Sequence, residues 1–286
     1  MFTKFKFKDI HSDYFGIMTK TKNRPILPAQ KNVTVSVQNS DSQYDFSSAN
    51  AYNRPFYEDR IFEMEILVQA DTIQNLHNKL SSIAMWLMGS GELGFDDMPY
   101  VKWQAKVLNG IDFAPKIYGR EAVVSVQFRV KPWSESVFNS DDLENIVLGT
   151  DIPLKSDVRL DPSTYFNFAL SKGSNTITVI NLGTYYARPV FEFVGSCGSL
   201  TIVCGDKTLE YSKAFEKLSV DTQKQCFTVS GEMMNKYSSG EFFELKSGAN
   251  KLKITVGSEV NMRVVYTPKF IYNNPMFGGE QNVGVI

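Results

Sequence analysis

Asp71-Thr72-Ile73-Gln74-Asn75-Leu76-His77-Asn78-Lys79-Leu80-Ser81-Ser82-Ile83-Ala84-Met85-Trp86-Leu87-Met88 opens the stretch that decides the fold, which runs on to Lys131-Pro132-Trp133. Ile73, Leu76, Leu80, Ile83 and Leu87 recur at helical spacing, so the segment reads as an amphipathic helix whose stripe must rest on a sheet or a neighbouring subunit. Asp71 is the expected N-cap, with Gln74 three residues on, and Gly89 and Gly91 supply the stop. A break over Gly89–Tyr100 leads into two alternating strands. Val101, Trp103, Ala105 and Val107 face one way in the first, and Ala122, Val124, Val126, Phe128 and Val130 in the second. Asn109-Gly110 between them is a turn signal.

Upstream, Phe and Lys alternate over Met1–Lys8, which makes a strand with one wet face and lacks the continuous apolar core of a signal peptide. Residues 31–38 place Val33, Val35 and Val37 on one side and Thr34, Ser36 and Gln38 on the other, the pattern of a half-buried strand. From Asn39 to Arg60 the chain is polar and punctuated by Tyr44, Tyr52, Arg54, Tyr57 and Arg60, a composition enriched at interface cores. These five are the candidate inter-subunit contacts. Phe62, Met64, Ile66 and Val68 then alternate with Glu63 and Glu65. The first domain, residues 1–134, is therefore expected to be α+β, with one helix covering an antiparallel sheet.

Beyond a polar connector from Ser134 to Asp142 the texture becomes all-β, with expected strands at Thr176–Ile180, Val190–Val194, Ser199–Cys204, Phe242–Leu245, Leu252–Val256 and Met262–Tyr266. That spacing suits a β-sandwich over residues 135–286, with a Gly-containing tail from about residue 273. The fold class is mainly β.

The chemistry inventory is short. The first 134 residues carry 16 Lys+Arg against 14 Asp+Glu and the remainder 14 against 17, a balance that disfavours gripping nucleic acid through its phosphates. Cys197, Cys204 and Cys226 lack the paired spacing of a zinc site and read as reduced, buried thiols. His11 and His77 are the two histidines, and His77 sits beside the helix stripe. Asp96-Asp97 reads as a turn and Glu63/Glu65 as a solvated strand face, neither as the paired carboxylates of a glycosidase. The sequence contains no GxSxG, P-loop or GxGxxG pattern. The expectation is no enzyme, no cofactor, no metal and no membrane insertion. A carbohydrate-binding sandwich is the alternative, and it would have to stack sugars on Tyr185, Tyr186, Tyr211 or Tyr237, because Trp86, Trp103 and Trp133 all precede the boundary.

Several segments, in order, resemble the distal tail proteins (Dit) of siphovirus-type phages and prophages. They are Ser12-Asp13-Tyr14-Phe15-Gly16-Ile17, the Val-alternating strand, Trp86-Leu87-Met88 through Phe95-Asp96-Asp97, and Arg120 to Pro132. Later come Asn181-Leu182-Gly183, Arg188-Pro189-Val190-Phe191-Glu192-Phe193, Phe243 to Leu252, and Tyr266-Thr267-Pro268-Lys269-Phe270. The resemblance implies a structural virion protein at the tail tip, made in the host cytoplasm. Its N-terminal domains would build a homo-oligomeric ring, usually a hexamer, and its C-terminal sandwiches would be galectin-like. The implied partners are the tail tube protein, a baseplate hub or tail-associated protein and a receptor-binding protein, with DNA only passing through the channel. Where the family often has a Gly-containing turn after the Val-rich strand, Asn39-Ser40-Asp41-Ser42-Gln43 has none.

Overall fold

A computed structural model describes residues 3–39, 41–50, 53–108, 120–140 and 166–272. The expected Asn109-Gly110 turn, Tyr52, the end of the polar connector and the Gly-containing tail lie outside the described residues. The chain divides into two compact units, Met1–Ser134 and Glu135–Phe270, and Ile271 belongs to the first. The fold class is the one read from the sequence, mainly β with a single α-helix among the described residues.

In the first unit the strands are β1 (Phe5–Phe7), β2 (Ile10–His11), β3 (Met18–Asn23), β4 (Thr34–Ser36), β5 (Gln43–Asp45), β6 (Arg60–Gln69), β7 (Ser90–Phe95), β8 (Met98–Val107) and β9 (Glu121–Val130). Seven of them form an antiparallel sheet in the order β2-β1-β7-β8-β9-β6-β3. The Thr3 amide donates to the Thr19 carbonyl at 2.9 Å, drawing the start of the chain against β3. Alternation explains the core. Register pairs Phe62 with Phe128, Met64 with Val126 and Ile66 with Val124, so the apolar side chains of β6 and β9 share one face, and all six are at most 1% exposed.

Helix α1 (Ile73–Leu87) buries Leu76, Leu80, Ile83 and Leu87 in its own unit. Two expectations about it change. The N-cap is Thr72, whose hydroxyl accepts from the Asn75 amide at 3.1 Å, and not Asp71 with Gln74. Ile73 shares the stripe by angle but sits in the first turn, where it is 59% exposed. Trp86 joins the buried side instead, stacked on Phe5 at 5.2 Å and donating from Nε1 to the Phe7 carbonyl at 2.9 Å. The break expected over Gly89–Tyr100 is in fact strand β7, with the turn at Asp96-Asp97. Its glycines hid it: at Gly91 a Cβ would lie 2.4 Å from Lys8 Cγ, so a side-chain-free strand position lets Lys8 lie across it.

The second unit has two sheets. After β10 (Ser134–Ser136) come β11 (Asn167–Leu170), β12 (Gly173–Asn181), β13 (Val190–Cys197), β14 (Leu200–Cys204), β15 (Lys207–Tyr211), β16 (Phe215–Asp221), β17 (Cys226–Val229), β18 (Glu232–Met233), β19 (Ser238–Gly240), β20 (Gly248–Val256), β21 (Val260–Val265) and β22 (Lys269–Phe270). The six-stranded sheet runs β11-β21-β13-β16-β17-β18 and the five-stranded one β12-β20-β14-β15-β19. Phe191, Phe193, Leu218 and Val264 of the first and Ile202, Leu209, Leu252 and Ile254 of the second meet in one core. Phe242–Leu245 is not a strand. Phe243 and Leu245 are buried, and the segment's only ladder contact among the described residues is one bridge between Ala187 and Leu245.

Within this unit Asn181 acts as a buried splint. Its Nδ2 donates to the Tyr185 carbonyl at 2.8 Å and the Leu245 carbonyl at 3.1 Å, while its Oδ1 accepts from the Gly183 amide at 2.9 Å. Gly183 lies so near the Lys269 backbone that a Cβ would be 2.5 Å from its carbonyl oxygen. Asn181→Ala is expected to destabilise the protein by about 2–3 kcal/mol, since buried partners lose their bonds, and a fall in the urea unfolding midpoint would report it.

Candidate assembly surface

Between β3 and β6 the first unit sends out an arm. At its root the Lys31 amide donates to the Phe56 carbonyl at 2.8 Å and the Glu58 amide to the Ala29 carbonyl at 2.9 Å. Further out β4 and β5 pair only with each other, joining Thr34 to Asp45, Val35 to Tyr44 and Ser36 to Gln43. The turn that lacks glycine uses Asn39, at φ 66°, a left-handed conformation that asparagine tolerates better than most residues. The Phe46 amide closes the ribbon on the Val33 carbonyl at 2.7 Å.

The half-buried strand expected over residues 31–38 is therefore not half buried. Val33, Val35 and Val37 are 54%, 47% and 49% exposed, because a ribbon of two strands has no second layer above it. Register puts Tyr44 opposite Val35, and period-two alternation adds Phe46, so five apolar side chains share one uncovered face. A two-stranded hairpin is at best marginally stable alone, and apolar residues grouped this way mark interaction sites.

The five candidate contacts separate. Tyr44 points outward and Tyr57 is half-buried at the root. Arg54 is buried, its guanidinium 5.1 Å from the Phe56 ring centre, so it belongs to the arm's interior rather than to an outward contact. Arg60 is buried as well. It donates from Nε to the Pro132 carbonyl at 3.0 Å, from Nη1 to those of Pro25 at 3.2 Å and Ile26 at 2.8 Å, and from Nη2 to those of Pro132 and Ile271, the latter at 2.6 Å. Burial pushes its guanidinium down to about 10. Arg60 thus clamps the root of the arm to its own unit. The sequence reading missed Val33, Val35, Val37 and Phe46, whose alternation was visible but whose exposure was not.

A second apolar surface lies on the outer side of α1. Tyr14 is 80% exposed and Met85 72%, and they border a groove of about 750 Å³ lined also by Phe15 and Trp86, whose rings stack at 4.8 Å; Met88, 70% exposed, follows the helix. Leu76, Leu80, Ile83 and Leu87 of the helix stripe are buried, so the exposed large apolar residues of α1 are Ile73 and Met85, with Met88 just past its end. Lys8 donates to the Met88 carbonyl at the helix C-terminus, where a cation is favourable, and Lys79 to the carbonyls of Gly16 and Gln69 at 3.2 Å.

The acidic candidates have local partners. Asp96 lies 3.0 Å from His11 Nε2, Asp97 accepts from Arg24 Nη1 at 3.0 Å, Glu63 accepts from Gln127, and Glu65 pairs with Lys22. His77 is exposed on α1. Among the described residues no three His, Cys, Asp or Glu side chains converge as metal ligands, and the three cysteines are free. Of the possible sugar-stacking tyrosines, Tyr185 and Tyr211 are buried and Tyr186 packs edge-on to Tyr185. Tyr237 lies under Lys213 and Lys236, whose hydrogen bonds and charge lower its phenol below the ordinary range.

Neither a family model nor a curated protein matches the chain. Among solved structures, the Dit protein (gp 19.1) of phage SPP1, a paradigm of the hub adsorption apparatus in phages that infect Gram-positive bacteria, superposes with a TM-score of 0.65. The alignment covers 94% of this chain and 99% of that one at 13% identity. Chains of the phage P2 baseplate in its activated conformation, with Ca and with Sr, align over 95% of this chain and 99% of theirs. Their TM-scores of 0.39 and 0.38, at 5% and 6% identity, are too low to carry an argument. With 94% of this chain aligned on 99% of SPP1 Dit, the fold of this chain is that of SPP1 Dit.

Proposed function

We propose that this chain is a non-catalytic structural hub of a phage or prophage-derived tail tip, assembled as a homo-oligomeric ring that joins the tail tube to the baseplate and host-adhesion apparatus. The observation that carries it is the arm, which offers an apolar face that stays about half exposed among the described residues. A ring uses two different surfaces per subunit, and the arm and the Tyr14–Met85 groove supply two. The number six follows the distal tail resemblance. The first unit builds the ring, and the second meets the receptor-binding components. Near-neutral units suit a channel that passes DNA without holding it.

Size-exclusion chromatography with light scattering on the full chain tests this. The expected result is a closed species of about six chains, with no retention on a glycan array. A chain that stays monomeric at every concentration and binds glycans would overturn the hub reading in favour of a carbohydrate-binding sandwich.

A further inference from the structure

Tyr237 of the second unit sits with two cations and no anion. Lys213 Nζ lies 4.7 Å and Lys236 Nζ 5.0 Å from the centre of its ring. Neither lysine forms an ion pair with an acid among the described residues. Hydrogen bonding from Lys236, and then the charges of Lys213 and Lys236, hold the Tyr237 phenol below its ordinary range, and no carboxylate is among the groups acting on it. Two ammonium groups gathered on one phenol repel each other, and an anion between them relieves that repulsion.

The cluster is held in place from behind. Ser212, next to Lys213, donates from its amide and from its hydroxyl to the Tyr237 carbonyl, each at 3.0 Å. The Asn235 side chain accepts from the Phe227 amide at 2.7 Å and donates to the Gln225 carbonyl at 3.2 Å, fixing the turn that carries Lys236. Tyr211 meets Tyr237 edge-on, with ring centres 6.5 Å apart, and stacks on Phe227 at 5.4 Å. It is 1% exposed, yet its hydroxyl has no hydrogen-bond partner among the described residues. Buried hydroxyls are as a rule paired, so this one is a donor still to be used beside two cations. Burial, and next the charge of Tyr237, raise the Tyr211 phenol, which therefore keeps the proton it would donate.

Charge selects the ligand. Two ammonium groups balance a dianion, and a phosphate monoester or inorganic phosphate carries about two negative charges near neutral pH, with several acceptor oxygens for the ammonium and phenol donors. A carboxylate or a phosphodiester carries about half that charge. We propose that Lys213, Lys236 and the hydroxyls of Tyr237 and Tyr211 form a binding site for a phosphate group, free or carried as a monoester.

The test is ultraviolet titration of the tyrosines in the full chain, with inorganic phosphate and separately methyl phosphate as probes, against sodium chloride at matched ionic strength. A phosphate seated between the lysines cancels the charge that favours the phenolate. The expected result is a saturable upward shift in the midpoint of one early-ionising tyrosine, absent from Tyr237→Phe. Lys213→Gln and Lys236→Gln should each weaken binding about ten-fold or more. Calorimetric titration with the same probes reads binding independently of the phenol, and thermal melts check that the exposed lysine substitutions leave the fold intact. Saturation by methyl phosphate assigns a monoester site, and saturation by inorganic phosphate alone a site for the free ion. No effect of either probe beyond that of chloride overturns the proposal, as does binding that survives undiminished in both lysine variants.

Discussion

Replacing Val35 and Tyr44 together by aspartate is expected to leave a folded monomer that melts like the unmodified chain and assembles no ring. Both side chains are about half exposed in the isolated chain, and exposed substitutions typically change stability by no more than about 0.5 kcal/mol. In the assembly each would contribute about 1.5–3 kcal/mol by burial, and each new carboxylate would have to lose water without a partner. The combined loss is on the order of 4 kcal/mol or more at each seam, roughly a thousand-fold in association constant. In a closed ring every subunit sits at two such seams. Light scattering paired with a thermal melt reads both halves of the expectation, and a ring that persists with the double variant would show that the arm face is not an interface.

Arg60→Ala should do the reverse, damaging the fold first and assembly only as a consequence. The guanidinium is the shared donor to the carbonyls of Pro25, Ile26, Pro132 and Ile271, which come from three places far apart in the chain. Removing it leaves buried acceptors without a partner, while the cost of burying the cation, visible in its lowered proton affinity, is relieved and offsets part of the loss. The expected net destabilisation is about 3–5 kcal/mol, read as a fall in the urea midpoint. Arg60→Lys keeps the charge but has no planar fork to span four carbonyls, so it should recover little of the loss. Recovery of most of it would mean that charge, not geometry, is what the site needs.

These two variants separate residues that the sequence presents alike. Arg60 and Tyr44 both stand in the polar, Tyr-rich excursion as interface candidates, yet one is 3% and the other 54% exposed. Polar composition marks a segment as unusual but does not say which of its side chains turn inward. Helix α1 gives the same lesson in smaller form. Spacing placed Ile73 on the stripe, whereas the first turn leaves it bare, and packing against Phe5 and Phe15 buries Trp86, which the stripe did not include. Strand β7 escaped the sequence reading because Gly91 and Gly94 interrupt an alternation that Leu93 and Phe95 alone are too few to establish.

By itself the sequence determined the mainly β class, the place of helix α1, the alternating strands β6, β8 and β9 and the resemblance to distal tail proteins. Periodicity and turn chemistry are properties of neighbouring residues, so they can be read without the fold. Which apolar face is covered was decided only by the tertiary structure. Val33-Thr34-Val35-Ser36-Val37 and Phe62-Glu63-Met64-Glu65-Ile66 have the same period, but β6 lies between β3 and β9 while β4 has β5 alone. Cover comes from residues distant in the chain, and no local pattern records whether they arrive. Among the described residues the valine face stays about half exposed.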